Sequence, residues 1–160
     1  MREIRFDDVD TLKTLVGEPW CPYSEQILVT QDMIRRFADV THDHQWIHLD
    51  VERARRESPL GKTIAHGFLL VSLLPKLRLR KDLTITGFGS VLNYGADKLR
   101  FLTPVPADSA VHCRNRIYLV EKKPKGTLVG EELEVALVGR ESERPALSYS
   151  MLFLYQPPAA

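Results

Sequence analysis

Asp43, His48 and Gly67 are the residues whose types and spacing can do chemistry in this chain. Asp43 and His48 lie in Thr41-His42-Asp43-His44-Gln45-Trp46-Ile47-His48-Leu49-Asp50, and Gly67 closes Ile64-Ala65-His66-Gly67 a short way on. A carboxylate is ionised near neutral pH and accepts a proton from water, while an imidazole, with a reference pKa of about 6.5, gives or takes one. A glycine opening an apolar helix exposes backbone N–H groups that no helical carbonyl satisfies, and it lets a ligand come close to the chain. These are the parts needed to move a proton beside a carbonyl, so the sequence points to an enzyme.

His42, His44, His48 and His66 crowd around Asp43, which raises a metal site as a rival reading. The run His42-Asp43-His44 lacks the helical or turn spacing of known zinc sites, so acid–base work is preferred and no metal ligand is assigned. His66 is read as satisfying backbone groups around the helix start, in preference to a catalytic role. Trp46 reads as a packing anchor. Asn93, before Tyr94-Gly95, is either a pocket residue or a turn or bulge residue.

These residues need elements to hold them. Leu12, Leu15 and Val16 recur at helical spacing and are stopped by Gly17 and Pro19, which predicts a short first helix. Ser24 to Val29 alternates weakly as a strand, and Thr30 is placed to cap a helix through Gln31, Met33, Ile34, Phe37 and Ala38. No helical period holds from His42 to Leu49, so Asp43 and His48 are expected on a loop, with a short helix over Val51 to Arg56 and a turn at Ser58-Pro59-Leu60-Gly61. From His66 to Leu79 almost every residue is apolar, which predicts a helix buried on all sides, kinked or ended near Leu74 by Pro75.

Strand-like segments follow over Leu83 to Tyr94, Lys98 to Leu102, Ser109 to Val120, Leu128 to Val138 and Leu147 to Tyr155. Glu132, Glu134 and Ala136 alternate with Leu133, Val135 and Leu137, the period of a sheet with one wet face. Thr103-Pro104-Val105-Pro106 and the stretch from Glu121 to Gly126 read as connections. A long antiparallel sheet after one buried helix implies an α+β fold in which the sheet wraps the helix.

At 160 residues the chain suits a single domain spanning 1–160 with a real core. With 22 basic against 21 acidic residues its net charge of +1 gives no general pull toward nucleic acid, so any anionic partner must be met by a local patch. Cys21 and Cys113 are too few for a disulfide framework. No stretch has the apolar length of a membrane span and the first residues do not resemble a secretion signal, so a cytoplasmic protein without membrane contact is expected.

Several motifs together resemble the MaoC-like dehydratases, also called (R)-specific enoyl-CoA hydratases, and in particular their nodulation-protein (NodN-like) branch. They are Asp43-x-x-x-x-His48-x-Asp50, Ile64-Ala65-His66-Gly67-Phe68, and Asn93-Tyr94-Gly95 leading into Lys98-Leu99-Arg100-Phe101 with Pro104-Val105. They occur in family order over residues 29 to 111. Gln45-Trp46 replaces the commoner Asn-Pro, as in that branch, and Pro75 falls where other members carry a serine near the site.

The resemblance implies a hotdog fold, a curved antiparallel sheet around a central helix, and reversible addition of water to a trans-2-enoyl-CoA to give a (3R)-3-hydroxyacyl-CoA. It implies that Asp43 and His48 hold and activate one water and that the Gly67 N–H binds the thioester oxygen. Gln45, His66, Asn93, Lys98 and Arg100 are the expected substrate-binding residues, the last two as cations for CoA phosphates. The basic run Lys122, Lys123 and Lys125 reads better as a solvated turn. No metal or redox cofactor is expected. The carrier is CoA or an acyl carrier protein, and the resemblance implies a homodimer. Hotdog thioesterase activity and a non-catalytic acyl-CoA-binding subunit are the rival readings.

Overall fold

The computed structural model describes residues 2–77 and 82–159. Five strands form the main sheet: β2 (Ile27–Val29), β5 (Ser109–Lys123), β6 (Gly126–Leu137), β7 (Leu147–Gln156) and β4 (Ser90–Phe101), antiparallel and in that spatial order. A separate parallel pair joins β1 (Arg2–Arg5) to β3 (Leu83–Thr86). The helices are α1 (Val9–Lys13), α2 (Gln31–Thr41), α3 (Trp46–Leu49), α4 (Val51–Glu57) and α5 (Gly67–Ser72), the last followed by a 3-10 turn over Leu74–Leu77.

One face of the sheet receives α5. Leu69 and Leu70 of the helix and Leu74 and Leu77 of the turn after it pack with Val111, Leu133, Val135 and Leu147 of the strands and with Ile34 of α2. This is the hotdog arrangement that the resemblance implies. The alternation in β6 is as expected: Leu133 and Val135 are buried, while Glu132 and Glu134 meet their cross-strand neighbours Arg116 and Arg114 at 2.6 Å. Trp20 lies against both guanidinium groups, and Tyr23 stacks on His112 at 3.9 Å, so residues before β2 cover this stretch of β5. Farther along, Ile4, Leu12 and Leu15 form a second cluster with Ile117, Val120 and Val129.

Thr30 caps α2, its side chain accepting from the Met33 N–H, as its position predicts. Pro75 acts as expected too, since α5 ends at Ser72 and a tighter turn takes over.

Four expectations need correction. His48 is not on a loop: Trp46–Leu49 make one helical turn, too short for a 3.6-residue period to show. Asp43 does lie outside the helices, after α2 ends on left-handed His42. The helix from Gly67 is not buried all round, because Phe68 is 61% exposed and Ser72 and Pro75 face out; Leu79 lies outside the described residues. The expected strand over Leu83 to Tyr94 is broken at Gly87, and its second half runs on through Lys98 to Phe101 as one long β4, with register shifts at Asn93/Gly95 and Ala96/Lys98. Finally, the connection around Glu121 to Gly126 shrinks to Pro124-Lys125, because Lys123 already pairs with Gly126.

Strand β4 is an unusual edge. Among the described residues only one side of it is paired, and Val91, Leu92, Tyr94 and Phe101 all remain exposed along it.

Candidate active site

Three short segments meet at the start of α5. The stretch Thr63 to His66 is tied to α3 by the Ile64 N–H donating to the Ile47 carbonyl at 3.0 Å, and to the chain before β5 by the Ala65 N–H donating to the Val105 carbonyl at 2.8 Å. The turn α3 therefore faces the first residues of α5.

His48 is 6% exposed, with its Nδ1 at 2.7 Å from the Ile64 carbonyl oxygen. A carbonyl only accepts, so Nδ1 carries the hydrogen and the Nε2 lone pair is left for chemistry. Burial pushes the His48 pKa below its ordinary value; the hydrogen bond to the Ile64 carbonyl opposes it in part, and His66 and Asp43 add lesser effects in opposite directions. His48 is thus a neutral base near pH 7. Its own carbonyl accepts from Gln31 Nε2 at 2.8 Å, and Gln31 Oε1 in turn accepts from the buried Thr63 hydroxyl.

His66 is 4% exposed and stacks on His48 with ring centroids 3.7 Å apart. Its Nε2 lies 3.0 Å from the Asp43 main-chain oxygen and therefore donates to it. The Asp43 carboxylate accepts from Gln45 Nε2 at 3.3 Å. One carboxylate oxygen of Asp43, one ring nitrogen of His48 and one of His66 lie within 4.8 Å of one another, close enough to share one small ligand or ion.

Gly67 begins α5, and its N–H has no helical partner. Six residues sum to little macrodipole, so the N–H itself is the useful donor. A side chain here would collide: a Cβ on Gly67 would fall 2.7 Å from the Phe101 ring. A pocket of about 350 Å³ brings His48 and Gly67 together with Phe68, Phe101, Leu102 and Pro104 along its wall.

The remaining candidates lie elsewhere. Lys98 and Arg100 are exposed on β4, and since their neighbours Leu99 and Phe101 face the core cluster and the pocket, alternation turns both cations to the opposite face of the sheet. Asn93 sits at a bulge and lines a second, larger pocket of about 570 Å³ beside Val71, Tyr149 and Met151. Sequence reasoning missed Ile64, Gln31 and Thr63. A main-chain carbonyl leaves no mark in a sequence, and a glutamine in the first turn of a helix has none that singles it out.

A model of the MaoC-like domain matches residues 16–136. The chain belongs to the MaoC-like dehydratase family. It is 42% identical over 123 residues to 3-hydroxyacyl-thioester dehydratase Z of Mycobacterium tuberculosis, covering 77% of this chain and 80% of that protein. It is also 42% identical over 134 residues to nodulation protein N of Rhizobium leguminosarum bv. viciae, covering 83% and 82%. Among solved structures, the monoamine oxidase regulatory protein of Archaeoglobus fulgius superposes with a TM-score of 0.71 over 99% of this chain and 98% of that one, at 23% identity, a likeness of fold. Asp43, His48 and Gly67 of this MaoC-like chain all fall inside the matched residues.

Proposed function

We propose that this MaoC-like chain is an (R)-specific enoyl-CoA hydratase, adding water reversibly to a trans-2-enoyl thioester to give the (3R)-3-hydroxyacyl thioester. Its family makes it an enzyme of the hydro-lyase class. The observation that carries the finer reading is the setting of His48: its Nδ1 is held by Ile64, which leaves Nε2 without that tie, a ring nitrogen of His48 lies within 4.8 Å of an Asp43 carboxylate oxygen, and His48 lines a pocket with Gly67.

A water held there donates one hydrogen to Asp43 and one to His48 Nε2. Its oxygen forms the new bond at Cβ as the pair withdraws a proton, negative charge moves to the thioester oxygen against the Gly67 N–H, and a proton from the same pair closes the enolate at Cα. One water is consumed and no proton is gained or lost overall. Because the same pair would deliver both the oxygen and the Cα proton, both additions would occur on one face.

The acyl chain and the carrier, CoA or acyl carrier protein, must extend from the pocket past Phe68 and Phe101, whose rings meet edge to face at 5.4 Å. A homodimer fits the exposed apolar edge of β4. The test is to mix the protein with crotonyl-CoA and follow loss of the conjugated enoyl absorbance alongside thiol release. Hydration without thiol release supports the reading, thiol release replaces it with a thioesterase, and tight binding with neither replaces it with a binding subunit.

A further inference from the structure

His66 stands beside the reacting groups without an evident reaction of its own. Its Nε2–H is used on the Asp43 carbonyl, and its ring face lies on His48. Its Nδ1 is buried and has no hydrogen-bond partner among the described residues. A core position served only by folding would seldom hold an imidazole in this state, because an orphaned buried acceptor costs stability that an apolar ring of the same shape does not. Phe37 of α2, tilted against the ring at 5.2 Å, closes its other surroundings.

The two contacts act on different partners. Asp43 follows the left-handed end of α2 with no regular element to hold it, and the Nε2–H bond fixes its backbone. The carboxylate end is separately steadied by Gln45. The His48 ring is held at one nitrogen by Ile64, which leaves rotation about that bond, and the stacked His66 face removes it. We propose that His66 is a positioning residue for the Asp43–His48 pair, its Nε2–H pinning the Asp43 backbone and its ring face setting the plane of the His48 imidazole. This rests on the hydration reading above.

The two contacts can be removed one at a time. His66→Gln keeps an N–H at the Nε2 position and loses the ring face, His66→Phe keeps the face and loses the N–H, and His66→Leu loses both. Turnover and KM with crotonyl-CoA are measured for each variant beside the unaltered protein, together with circular dichroism. The expected result is a loss of kcat in His66→Leu of about 100-fold, the scale of a misplaced reacting group, with a smaller loss in each of the other two and KM little changed. Should His66→Leu fail to fold, the partial losses in the other two decide the matter.

Unchanged kcat in both His66→Gln and His66→Phe overturns the inference, as does a loss confined to KM. Hydration by the unaltered protein with no effect of these variants sinks the inference alone. Absence of hydration by the unaltered protein sinks the reading it rests on and the inference with it.

Discussion

The Nδ1 of His48 donates to the carbonyl oxygen of Ile64 across 2.7 Å, and this one bond decides which nitrogen of the imidazole is free to work. The carbonyl belongs to the segment leading into α5, so His48 and Gly67, the proposed base and oxyanion donor, are set relative to each other by a few residues of backbone.

The lowered pKa of His48 has a pH signature. The neutral ring is the active form, so kcat/KM for hydration should hold steady through neutrality and fall only as pH drops below the ordinary histidine value of 6.5. A pH–rate profile whose acid limb lies above 6.5 would contradict the assignment.

Stability should follow the same direction. His48 and His112 both have folded-state pKa values pushed down chiefly by burial, so the unfolded chain binds protons more readily than the folded one. Their contribution is complete above 6.5 and is lost as pH falls through the folded values. Thermal melts should give a Tm that declines on acidification through this range, and His112→Gln should flatten part of the decline.

Gly67→Ala tests the close approach at the helix start. The new Cβ meets the Phe101 ring at 2.7 Å, so the ring or the helix must move, and kcat/KM should drop by about 100-fold, as expected when reacting groups shift by about 1 Å. Adding Phe101→Leu should recover part of the loss. A fully active Gly67→Ala protein would show that the glycine is there for another reason.

How much of this was legible in the sequence depends on the kind of signal. The closeness of Asp43, His48 and Gly67 followed from motif order, and the inner face of β6 followed from alternation at Leu133 and Val135. The turn holding His48 was illegible because four residues hold barely one period. The placement of Lys98 and Arg100 was open to reading: Leu99 and Phe101 alternate with them, and a strand cannot turn all four to one face. The exposure of Phe68 had no such signal, because an apolar run does not say which of its residues stays outside the core.

That exposed surface yields a prediction of assembly. Sedimentation should give twice the mass of one chain, and Leu92→Glu, placing a charge on the apolar edge of β4, should shift it to the monomer. A monomer for the unaltered protein would remove the proposed dimer.

The central claim is that Asp43 and His48 act on one shared water. The most direct measurement is the hydration rate of crotonyl-CoA by Asp43→Asn and by His48→Gln, with melting curves recorded on the same samples. The account predicts a loss of about 100- to 10,000-fold in each, the usual range for removing a general acid or base, in proteins that remain folded. A folded variant of either kind that turns over at the unaltered rate would contradict it.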